Sequence, residues 1–314
     1  MRAAIINKFG APDVFDMDVI PEPSIGEREL LIEVVAGSVN PVDYKQRKGN
    51  HKFIFGSGFP IVLGYDVAGT VVATGRNVRQ FKAGERVCGV LSNKYGGGLA
   101  EYAKGAEKCF ARVPENVDLY RSAALPLAGL TALQALRDKA KIKKNNKVLI
   151  IGAAGGVGTF ATQIASFFKA EIYAVASERH RSFINRLAKV NFIDYTQTNI
   201  LRLGQKFNIV FDTVGKYDFL KVRHLLMPGS IYINTLPRPK ILAHKFVSLF
   251  TRGKKVKTLL MKHDREDLEM LVRWVADGKL KIFIDKEFPL DKVGDAHRYI
   301  EEGHTEGKIL IRYK

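Results

Sequence analysis

Residues 148–159 read Val-Leu-Ile-Ile-Gly-Ala-Ala-Gly-Gly-Val-Gly-Thr, and they decide how the middle of the chain folds. The four apolar residues from Val148 to Ile151 predict a buried parallel strand. Glycines follow at 152, 155, 156 and 158, and from Thr159 to Phe168 the pattern is helical. A strand, a glycine turn and a helix in this order are the context that a phosphate-binding turn requires.

Three of the four glycines in this turn have a specific physical reason. Gly152 permits a tight exit from the strand, Gly155 lets the backbone approach a pyrophosphate, and Gly158 lets the helix pack close to the strand. The first N–H groups of the helix have no partner within it, so they can receive an anion. The turn therefore predicts a bound dinucleotide. The alternatives are an ordinary glycine turn or a membrane span, and the glycines and polar side chains of residues 148–168 argue against the span.

Length and composition indicate an ordinary globular protein of two domains. The chain has 314 residues, of which 46% are hydrophobic and 26% charged, and single cores usually stop growing below this size. The N-terminus offers too few apolar residues for a secretory signal. Two cysteines, Cys88 and Cys109, exclude a disulfide scaffold and a four-cysteine zinc site. We therefore expect a cytoplasmic protein with no membrane span.

Positive charge is concentrated in two stretches of a chain whose net charge is +18. Residues 238–262 contain eight Lys or Arg and no acidic residue, and residues 137–147 contain six against Asp138 alone. Such clusters attract polyanions, either nucleic acid or an anionic membrane surface, and the alternative is a solvated basic surface. Neither cluster has the interleaved aromatic residues that nucleobase stacking needs, so we expect only nonspecific contact with nucleic acid.

The pattern of secondary structure changes along the chain. Short segments of branched residues separated by Gly, Pro and Asn fill the first third and predict an antiparallel barrel or sandwich: Arg2–Asn7, Glu29–Gly37, Val67–Thr74, Arg86–Val90 and Leu99–Lys104. From about Ser122, strand and helix signals alternate, as in a doubly wound parallel sheet, and a last helix covers Arg265–Asp277. A β pattern returns after about Ile282 and runs to the C-terminus.

These patterns predict an α/β protein with a β domain interrupted by a dinucleotide-binding domain. The β domain is expected over residues 1–122, completed by 282–314, and the dinucleotide-binding domain over residues 123–281. The cleft between them is the expected active site, because ligands bind preferentially at domain interfaces.

Six motifs in the expected order resemble the medium-chain dehydrogenase/reductase superfamily, and more narrowly its zinc-independent quinone oxidoreductase and alkenal reductase branch. The resemblance covers the whole chain and rests on Ser38-Val39-Asn40-Pro41-Val42-Asp43-Tyr44-Lys45, Gly64-Tyr65-Asp66-Val67-Ala68-Gly69, Leu125-Pro126-Leu127-Ala128-Gly129-Leu130-Thr131-Ala132, the glycine turn, Ile193-Asp194-Tyr195 and Gly307-Lys308. It implies a Rossmann-type domain, a GroES-like β-barrel catalytic domain and a homodimer. It also implies an NADPH-dependent enzyme whose substrate is a quinone or an α,β-unsaturated carbonyl compound.

Departures from the zinc alcohol dehydrogenases bear on the chemistry. Asn40 stands where those enzymes place a cysteine ligand, and Gly64-Tyr65-Asp66 stands where they carry Gly-His-Glu. Without a thiolate or an imidazole at these positions, a tetrahedral zinc ion has no ligands, so we expect no metal. Without that Lewis acid, a substrate already polarised by conjugation is favoured over an alcohol.

The end of the second parallel strand favours NADPH over NADH. An enzyme that selects NAD usually places Asp or Glu there for the ribose 2′-hydroxyl. This chain has Ser177, followed by Glu178 and Arg179, and a hydroxyl beside a guanidinium suits a 2′-phosphate. Glu178 would repel that phosphate if it pointed inward. The alternative for Arg179 is a solvated position in a first helical turn.

The resemblance assigns further cofactor contacts and two catalytic residues. The cofactor contacts are Tyr65, Thr131, Gly155, Gly156, Val157, Tyr195, Val214, Asn234 and Thr235. Asn40 and Tyr44 would line the site, with Tyr44 as the proton donor for reduction of a C=C bond. Alternatively, Tyr65 fills a domain interface and Asn40 caps a short helix that begins at Pro41. Quinone reduction needs no protein acid, and we expect catalysis mainly by orientation.

Two alternative functions remain open from the sequence. An enoyl-thioester reductase would need a channel for an acyl chain and a basic mouth, which the 238–262 segment could supply. An RNA-binding protein on the same fold would use the positive charge instead. The residues that select the substrate are expected in loops that include 48–58 and 236–262.

Overall fold

The computed structural model describes residues 1–50, 52, 56, 58–235 and 253–313, and the chain divides into two compact units. Unit 1 comprises Met1–Leu127 and His263–Lys314, and unit 2 comprises Ala128–Lys262. Much of the basic 238–262 segment and part of the 48–58 loop lie outside the described residues.

The chain contains eight α-helices among the described residues, and most of them are short. They are α1 (Pro41–Arg47), α2 (Leu119–Ser122), α3 (Pro126–Leu133, continued by a π-helical turn over Gln134–Lys139), α4 (Gly156–Phe167), α5 (Arg181–Asn185), α6 (Phe219–Val222), α7 (Arg265–Ala276) and α8 (Val293–Glu302). The sequence pattern predicts one helix from Ser122 to Lys139, whereas the structure interrupts it near Ala123 and resumes it at Pro126.

Unit 1 contains ten strands in two sheets. They are β1 (Arg2–Ile6), β2 (Phe15–Val19), β3 (Glu29–Val39), β4 (Ile61–Val62), β5 (Asp66–Thr74), β6 (Arg86–Val90), β7 (Tyr102–Ala106), β8 (Phe110–Arg112), β15 (Ile284–Pro289) and β16 (Lys308–Arg312). One sheet has the order β2-β1-β4, and the other has the order β15-β16-β3-β5-β6-β8 with β7 also paired to β3. All pairs are antiparallel except β15 with β16, so the predicted antiparallel β unit is confirmed.

Two features of unit 1 differ from the sequence prediction. A β pattern was expected from Ile282 to the C-terminus, but α8 stands between β15 and β16, because Val293, Ala296 and His297 form a buried stripe at helical spacing. The predicted domain boundaries also lie elsewhere than the limits of the units. Helix α7 belongs to unit 1, where it packs against β8 and its Ala276 carbonyl accepts a 3.1 Å hydrogen bond from Asn116 Nδ2.

Unit 2 is built on one six-stranded sheet with the order β11-β10-β9-β12-β13-β14. The strands are β9 (Lys147–Ile151), β10 (Glu171–Ala176), β11 (Asn191–Asp194), β12 (Phe207–Asp212), β13 (Leu226–Asn234) and β14 (Lys255–Thr258). Every pair is parallel, which confirms the predicted doubly wound sheet. All six strands therefore begin at one edge, here called the amino edge, and end at the opposite carboxyl edge.

Burial explains why these segments form strands. Val148, Leu149 and Ile150 are fully buried at the centre of the sheet, as a parallel strand covered on both faces requires. No helix among the described residues is long and apolar enough to cross a membrane.

Candidate active site and cofactor-binding loops

Four buried polar side chains of unit 1 form one hydrogen-bonded group, here called the Asp66 cluster: Ser38, Asn40, Asp66 and Lys308. They meet because β3 pairs with both β5 and β16, so that the end of β3 lies between the starts of the other two strands. Asp66 Oδ2 accepts hydrogen bonds from Ser38 Oγ at 2.7 Å and Asn40 Nδ2 at 2.8 Å. Lys308 Nζ lies 2.5 Å from Asn40 Oδ1 and 3.3 Å from Asp66 Oδ2. All four residues are at most 4% exposed.

The second carboxylate oxygen of Asp66 binds the start of α3. Asp66 Oδ1 accepts a 2.9 Å hydrogen bond from the backbone N–H of Leu127, the second residue of that helix. A helix begins with N–H groups that have no intrahelical partner, and a carboxylate there is stabilising. Both oxygens of Asp66 are thus hydrogen-bonded, and its charge is balanced by the equally buried Lys308 ammonium.

Asn40, predicted as catalytic, has both ends of its carboxamide bound within this cluster. Helix α1 begins at Pro41, as the alternative interpretation predicted. The carboxylate of Asp43 accepts the Asn40 backbone N–H at 2.7 Å and so caps the helix from its first turn. Asn40 therefore acts in unit 1 as a link between Asp66 and Lys308, and a direct role in chemistry stays a prediction.

The residues of this region do not fit a zinc ion. No three His, Cys, Asp or Glu side chains come together as a possible metal site among the described residues. Both cysteines are buried and free, and neither belongs to such a group. The amide of Asn40 and the carboxylate of Asp66 are already occupied by protein partners.

Tyr65 and Tyr44 supply phenol groups near the start of α1. Tyr65 donates to the Lys94 carbonyl oxygen at 3.0 Å and accepts from Gln46 Nε2 at 2.6 Å. Burial raises its pKa to about 12, so it is neutral at physiological pH. Tyr44 is half-buried on α1, and burial followed by the charge of Glu301 raises the pKa of its phenol above the ordinary value. Both phenols therefore retain a proton that can be donated.

Two buried titratable groups beside α1 were not singled out by sequence reasoning. Asp43 Oδ1 has no hydrogen-bond partner, and burial raises the pKa of Asp43 to about 7. His297 is fully buried with no partner for either ring nitrogen, and burial lowers its pKa to about 3. The sequence carries no signal for either shift, because each depends on what packs around the side chain.

In unit 2, the glycine turn joins β9 to α4 at the carboxyl edge. Gly155 precedes the helix in extended backbone, and no side chain caps the helix. The first-turn N–H groups therefore keep their capacity to bind an anion. Gly156 and Val157, predicted to contact a pyrophosphate, are the first two residues of this helix.

The space around each glycine separates structural from binding roles. Gly152 has φ +82°, and a Cβ there would meet the side chains of Val214 and Thr213 at 2.4 and 2.8 Å. A Cβ on Gly158 would lie 2.1 Å from the Gly152 carbonyl oxygen. A Cβ on Gly155 would meet nothing closer than 3.7 Å. Gly152 and Gly158 are therefore required by packing, whereas the space beside Gly155 is open to a ligand.

The end of β10 carries an unsatisfied hydroxyl where a 2′-phosphate is predicted. Ser177 Oγ is buried and has no hydrogen-bond partner. Glu178 forms an ion pair with Arg181 instead of pointing inward, with 2.5 Å between Arg181 Nε and Glu178 Oε1. Arg179 Nε lies 3.0 Å from His180 Nε2. The residue that could have repelled a phosphate is thus neutralised by its own neighbour.

A cation that sequence reasoning missed lies at the same edge. Lys216 Nζ is 5.2 Å from the centre of the Tyr195 ring, and Tyr195 is 41% exposed. Lys216 follows β12 by four residues, and this position after a parallel strand is the signal that could have identified it. Val214, in the same loop, is 56% exposed.

Buried Asp212 holds the loop that follows β12. Its two oxygens accept the backbone N–H groups of Val214, Gly215 and Tyr217 at 3.1, 2.7 and 2.9 Å. Thr213 Oγ1 donates to the Ile151 carbonyl oxygen at 2.8 Å, which ties this loop to the end of β9. The loops after β9 and β12 therefore form one connected surface.

The remaining predicted contacts are placed as follows. Thr235 Oγ1 donates to the Thr213 carbonyl oxygen at 3.1 Å, which joins the end of β13 to the same surface. Asn234 is 3% exposed, and its amide donates to the Tyr232 hydroxyl at 3.1 Å. Thr131 is 7% exposed on α3. The Thr235 hydroxyl thus joins two loops of the carboxyl edge.

Comparison with known proteins agrees with this architecture. Residues 26–115 match the alcohol dehydrogenase GroES-like domain family, and residues 189–311 match the zinc-binding dehydrogenase family. A chloroplast envelope quinone oxidoreductase homolog of Arabidopsis thaliana is 36% identical over 302 residues, 93% of this chain and 92% of that protein. A chloroplastic NADPH-dependent alkenal/one oxidoreductase of the same plant is 32% identical, over 99% of this chain and 79% of that protein.

A solved structure of similar fold is also that of a quinone oxidoreductase. The quinone oxidoreductase from Coxiella burnetii matches with a TM-score of 0.91 at 29% identity, over 100% of this chain and 99% of that one. An antiparallel β unit combined with a parallel sheet that carries a glycine turn is the architecture of a two-domain dehydrogenase. The chain belongs to the medium-chain dehydrogenase/reductase superfamily, in its quinone oxidoreductase and alkenal reductase branch.

Proposed function

We propose that this chain is an NADPH-dependent oxidoreductase that reduces a quinone or an α,β-unsaturated carbonyl compound. The observation that carries the proposal is the carboxyl edge of unit 2. There the open space at Gly155, the uncapped start of α4 and the unpartnered Ser177 hydroxyl lie along one edge of a parallel sheet. A dinucleotide with a 2′-phosphate supplies the anions that these groups lack.

The residues divide the work of binding. The first-turn N–H groups of α4, at Gly156 and Val157, receive the pyrophosphate. The hydroxyl of Ser177 and the side chains of Arg179 and Lys216 receive the 2′-phosphate. Charge-assisted hydrogen bonds of this kind contribute about 1.5–3 kcal/mol each, which is enough to set the preference for NADPH over NADH.

The exposed apolar side chains of unit 2 support a ligand at this edge. Tyr195, Val214 and Leu260, which are 41%, 56% and 81% exposed, follow β11, β12 and β14 at their carboxyl ends. Ligands of open α/β sheets bind outside the carboxyl ends of the strands. We propose that Tyr195 and Val214 pack against the cofactor, with Thr131, Asn234 and Thr235 toward its nicotinamide half.

The substrate class comes from the relatives and from the chemistry of the Asp66 cluster. The two plant relatives are named as a quinone oxidoreductase homolog and an NADPH-dependent alkenal/one oxidoreductase. This part of unit 1 offers phenols and an amide, and no three zinc ligands come together among its described residues, so a substrate polarised by its own conjugation is favoured. When bound, NADPH supplies the hydride. Tyr44 holds a proton for the carbanion formed from an enone, whereas water protonates a hydroquinone oxygen.

The prediction that tests cofactor choice uses Ser177 and Lys216. Ser177→Ala and Lys216→Met should each weaken NADPH binding about tenfold while NADH binding stays unchanged, since only NADPH carries the 2′-phosphate. Titration of NADPH and NADH in parallel, read by thermal stability, measures both affinities. The control is Ser166→Ala, on an exposed position of α4 away from the carboxyl edge.

The activity test compares three acceptors. NADPH oxidation should proceed with a quinone and with a short enone, and a crotonyl thioester should be a poor acceptor. Equal affinity for NADPH and NADH, or activity on the thioester alone, would contradict the proposal. The homodimer, the cytoplasmic location and the nonspecific contact with nucleic acid stay predictions of the sequence.

A further inference from the structure

The amino edge of the unit 2 sheet carries a continuous row of cations that the proposed chemistry does not use. Every one of the six strands begins with a Lys or Arg, or has one within the four residues before it. Among the residues that the structure describes, nine cations meet this criterion: Lys143, Lys144, Lys147, Lys169, Lys189, Lys206, Arg223, Lys254 and Lys255. Among the described residues of these six strand starts, Glu171 is the one carboxylate, and it lies 3.8 Å from Lys147.

Topology gathers these cations, because they are scattered along more than a hundred residues of sequence. Parallel strands all begin at the same edge, so each connection that returns to the sheet brings its cation there. Adjacent strands lie about 4.8 Å apart, so six strands spread the cations over roughly 24 Å. Seven of the nine side chains are exposed: Lys143, Lys144, Lys169, Lys189, Lys206, Arg223 and Lys255.

Exposed apolar side chains stand beside this row. Phe167, at the end of α4, is 38% exposed and lies two residues before Lys169. Leu220, on α6 shortly before β13, is 44% exposed. Surfaces that dock on an anionic bilayer combine cations, which contact the lipid phosphates, with apolar side chains between them, which enter the bilayer.

We propose that the amino edge of unit 2 is a docking surface for a membrane rich in anionic phospholipids. The edge spans the full width of the sheet, which suits a planar array of headgroups. Eight of its nine cations are lysines, which act on phosphates as point charges and do not form the planar forks that read bases. The carboxyl edge, with its glycine turn, lies at the opposite end of the strands and stays accessible when the amino edge is on a bilayer.

Sedimentation with lipid vesicles tests this proposal. The protein should bind vesicles of phosphatidylcholine mixed with phosphatidylserine, should not bind phosphatidylcholine alone, and should be released as salt is raised. The variant with Lys143→Glu, Lys144→Glu, Lys189→Glu and Lys206→Glu should bind at least about a hundredfold more weakly, since each lysine near an anionic surface contributes about fivefold.

A matched control separates the edge from net charge. The variant with Lys8→Glu, Lys82→Glu, Lys108→Glu and Lys292→Glu reverses four exposed lysines of unit 1 and changes the net charge equally. It should lose much less affinity than the edge variant. Circular dichroism should find both variants folded.

The apolar contribution has its own pair of variants. Phe167→Ser should weaken vesicle binding severalfold with an unchanged dependence on salt, whereas Val19→Ser, at a 75% exposed position of unit 1, should have no effect. The proposal is overturned if the edge and control variants lose affinity equally, or if anionic vesicles do not bind. It is also overturned if an RNA oligonucleotide, at the same phosphate concentration as the vesicles, displaces the protein from them.

Discussion

The Asp66 cluster of unit 1 and the carboxyl edge of unit 2 are both polar regions in the expected active-site motifs, yet they differ in how their polar groups are satisfied. Both oxygens of Asp66 are bonded within unit 1, and the Asn40 amide and Lys308 ammonium complete the cluster. At the carboxyl edge, the start of α4 is uncapped and the Ser177 hydroxyl has no partner. A cluster closed on itself maintains the fold, whereas an open one is suited to a ligand.

The largest expected effect comes from breaking the closed cluster. Asp66→Asn removes the carboxylate that is paired with the Lys308 ammonium, which is 4% exposed, and removing one partner of a buried ion pair costs about 3–5 kcal/mol. Urea unfolding of the variant should report a loss of that size in the free energy of unfolding.

The double variant identifies the cause of this loss. Asp66→Asn together with Lys308→Met removes the unpaired charge, so it should be more stable than Asp66→Asn alone. Equal stability of the single and double variants would mean that the charge of Lys308 does not matter, and that the loss comes from the hydrogen bonds that the Asp66 carboxylate accepts.

This pair also explains what the sequence could and could not predict. Gly307-Lys308 was recognised as a motif, but its partner Asp66 lies 242 residues away. The contact depends on β3 pairing with both β5 and β16, and strand order cannot be read from the strand segments themselves. The same reason hid the proximity of Lys216 to Tyr195.

Features with a local cause were predictable. The strand, glycine turn and helix at 148–168 depend on apolar runs and on glycine spacing, and β9 and α4 lie where that pattern predicts them. Helix α8 was missed because its buried stripe includes His297, whose polar ring does not signal a core position. The burial of His297 becomes evident only from the side chains around it, such as Phe15, whose ring centroid lies 4.8 Å from that of the imidazole.

A second prediction sharpens the comparison inside the glycine turn. Gly158→Ala places a methyl group 2.1 Å from a backbone oxygen, which cannot move away as a side chain could, so we expect a loss of about 1–3 kcal/mol in stability. Gly155→Ala meets nothing within 3.7 Å and should leave stability unchanged. Thermal unfolding measures both variants.

For cofactor binding, we expect Gly155 to be the sensitive position of the two. Gly155→Ala fills the space proposed for the pyrophosphate, so it should weaken NADPH binding at least about tenfold in a folded protein. If Gly155→Ala binds NADPH normally, the open space beside this residue is not the binding surface, and the contrast between open and closed regions fails there.

The smallest effect tests an exception to the comparison. Asp43 Oδ1 and the ring nitrogens of His297 also lack partners, yet both residues are sealed inside unit 1, at 1% and 0% exposed. No ligand reaches such atoms, so the cost of burying them should appear as a shifted titration. Asp66 and Lys308 act on Asp43, and Arg47 acts on His297, but desolvation by burial is the largest cause of both shifts.

The two shifts should oppose each other in stability. Folding raises the pKa of Asp43 from 3.8 to about 7, so the unfolded chain holds fewer protons there and this contribution to stability is lost as pH rises through that range. Folding lowers the pKa of His297 from 6.5 to about 3, so its contribution is lost as pH falls from 6.5 toward 3. Between pH 3.8 and 6.5, where the two ranges overlap, the pH dependences of stability from Asp43 and His297 cancel in the wild-type protein.

Each single variant should therefore reveal how the stability contributed by the other residue changes with pH. Asp43→Asn should gain stability relative to wild type as pH rises from about 5 to 6.5, and His297→Phe should gain relative to wild type as pH falls over the same interval, each by about 2 kcal/mol. Urea unfolding across this interval measures both. If neither difference depends on pH, the Asp43 and His297 side chains are not desolvated as their burial indicates. A polar atom without a partner would then no longer help to tell a sealed interior from a surface that is open to a ligand.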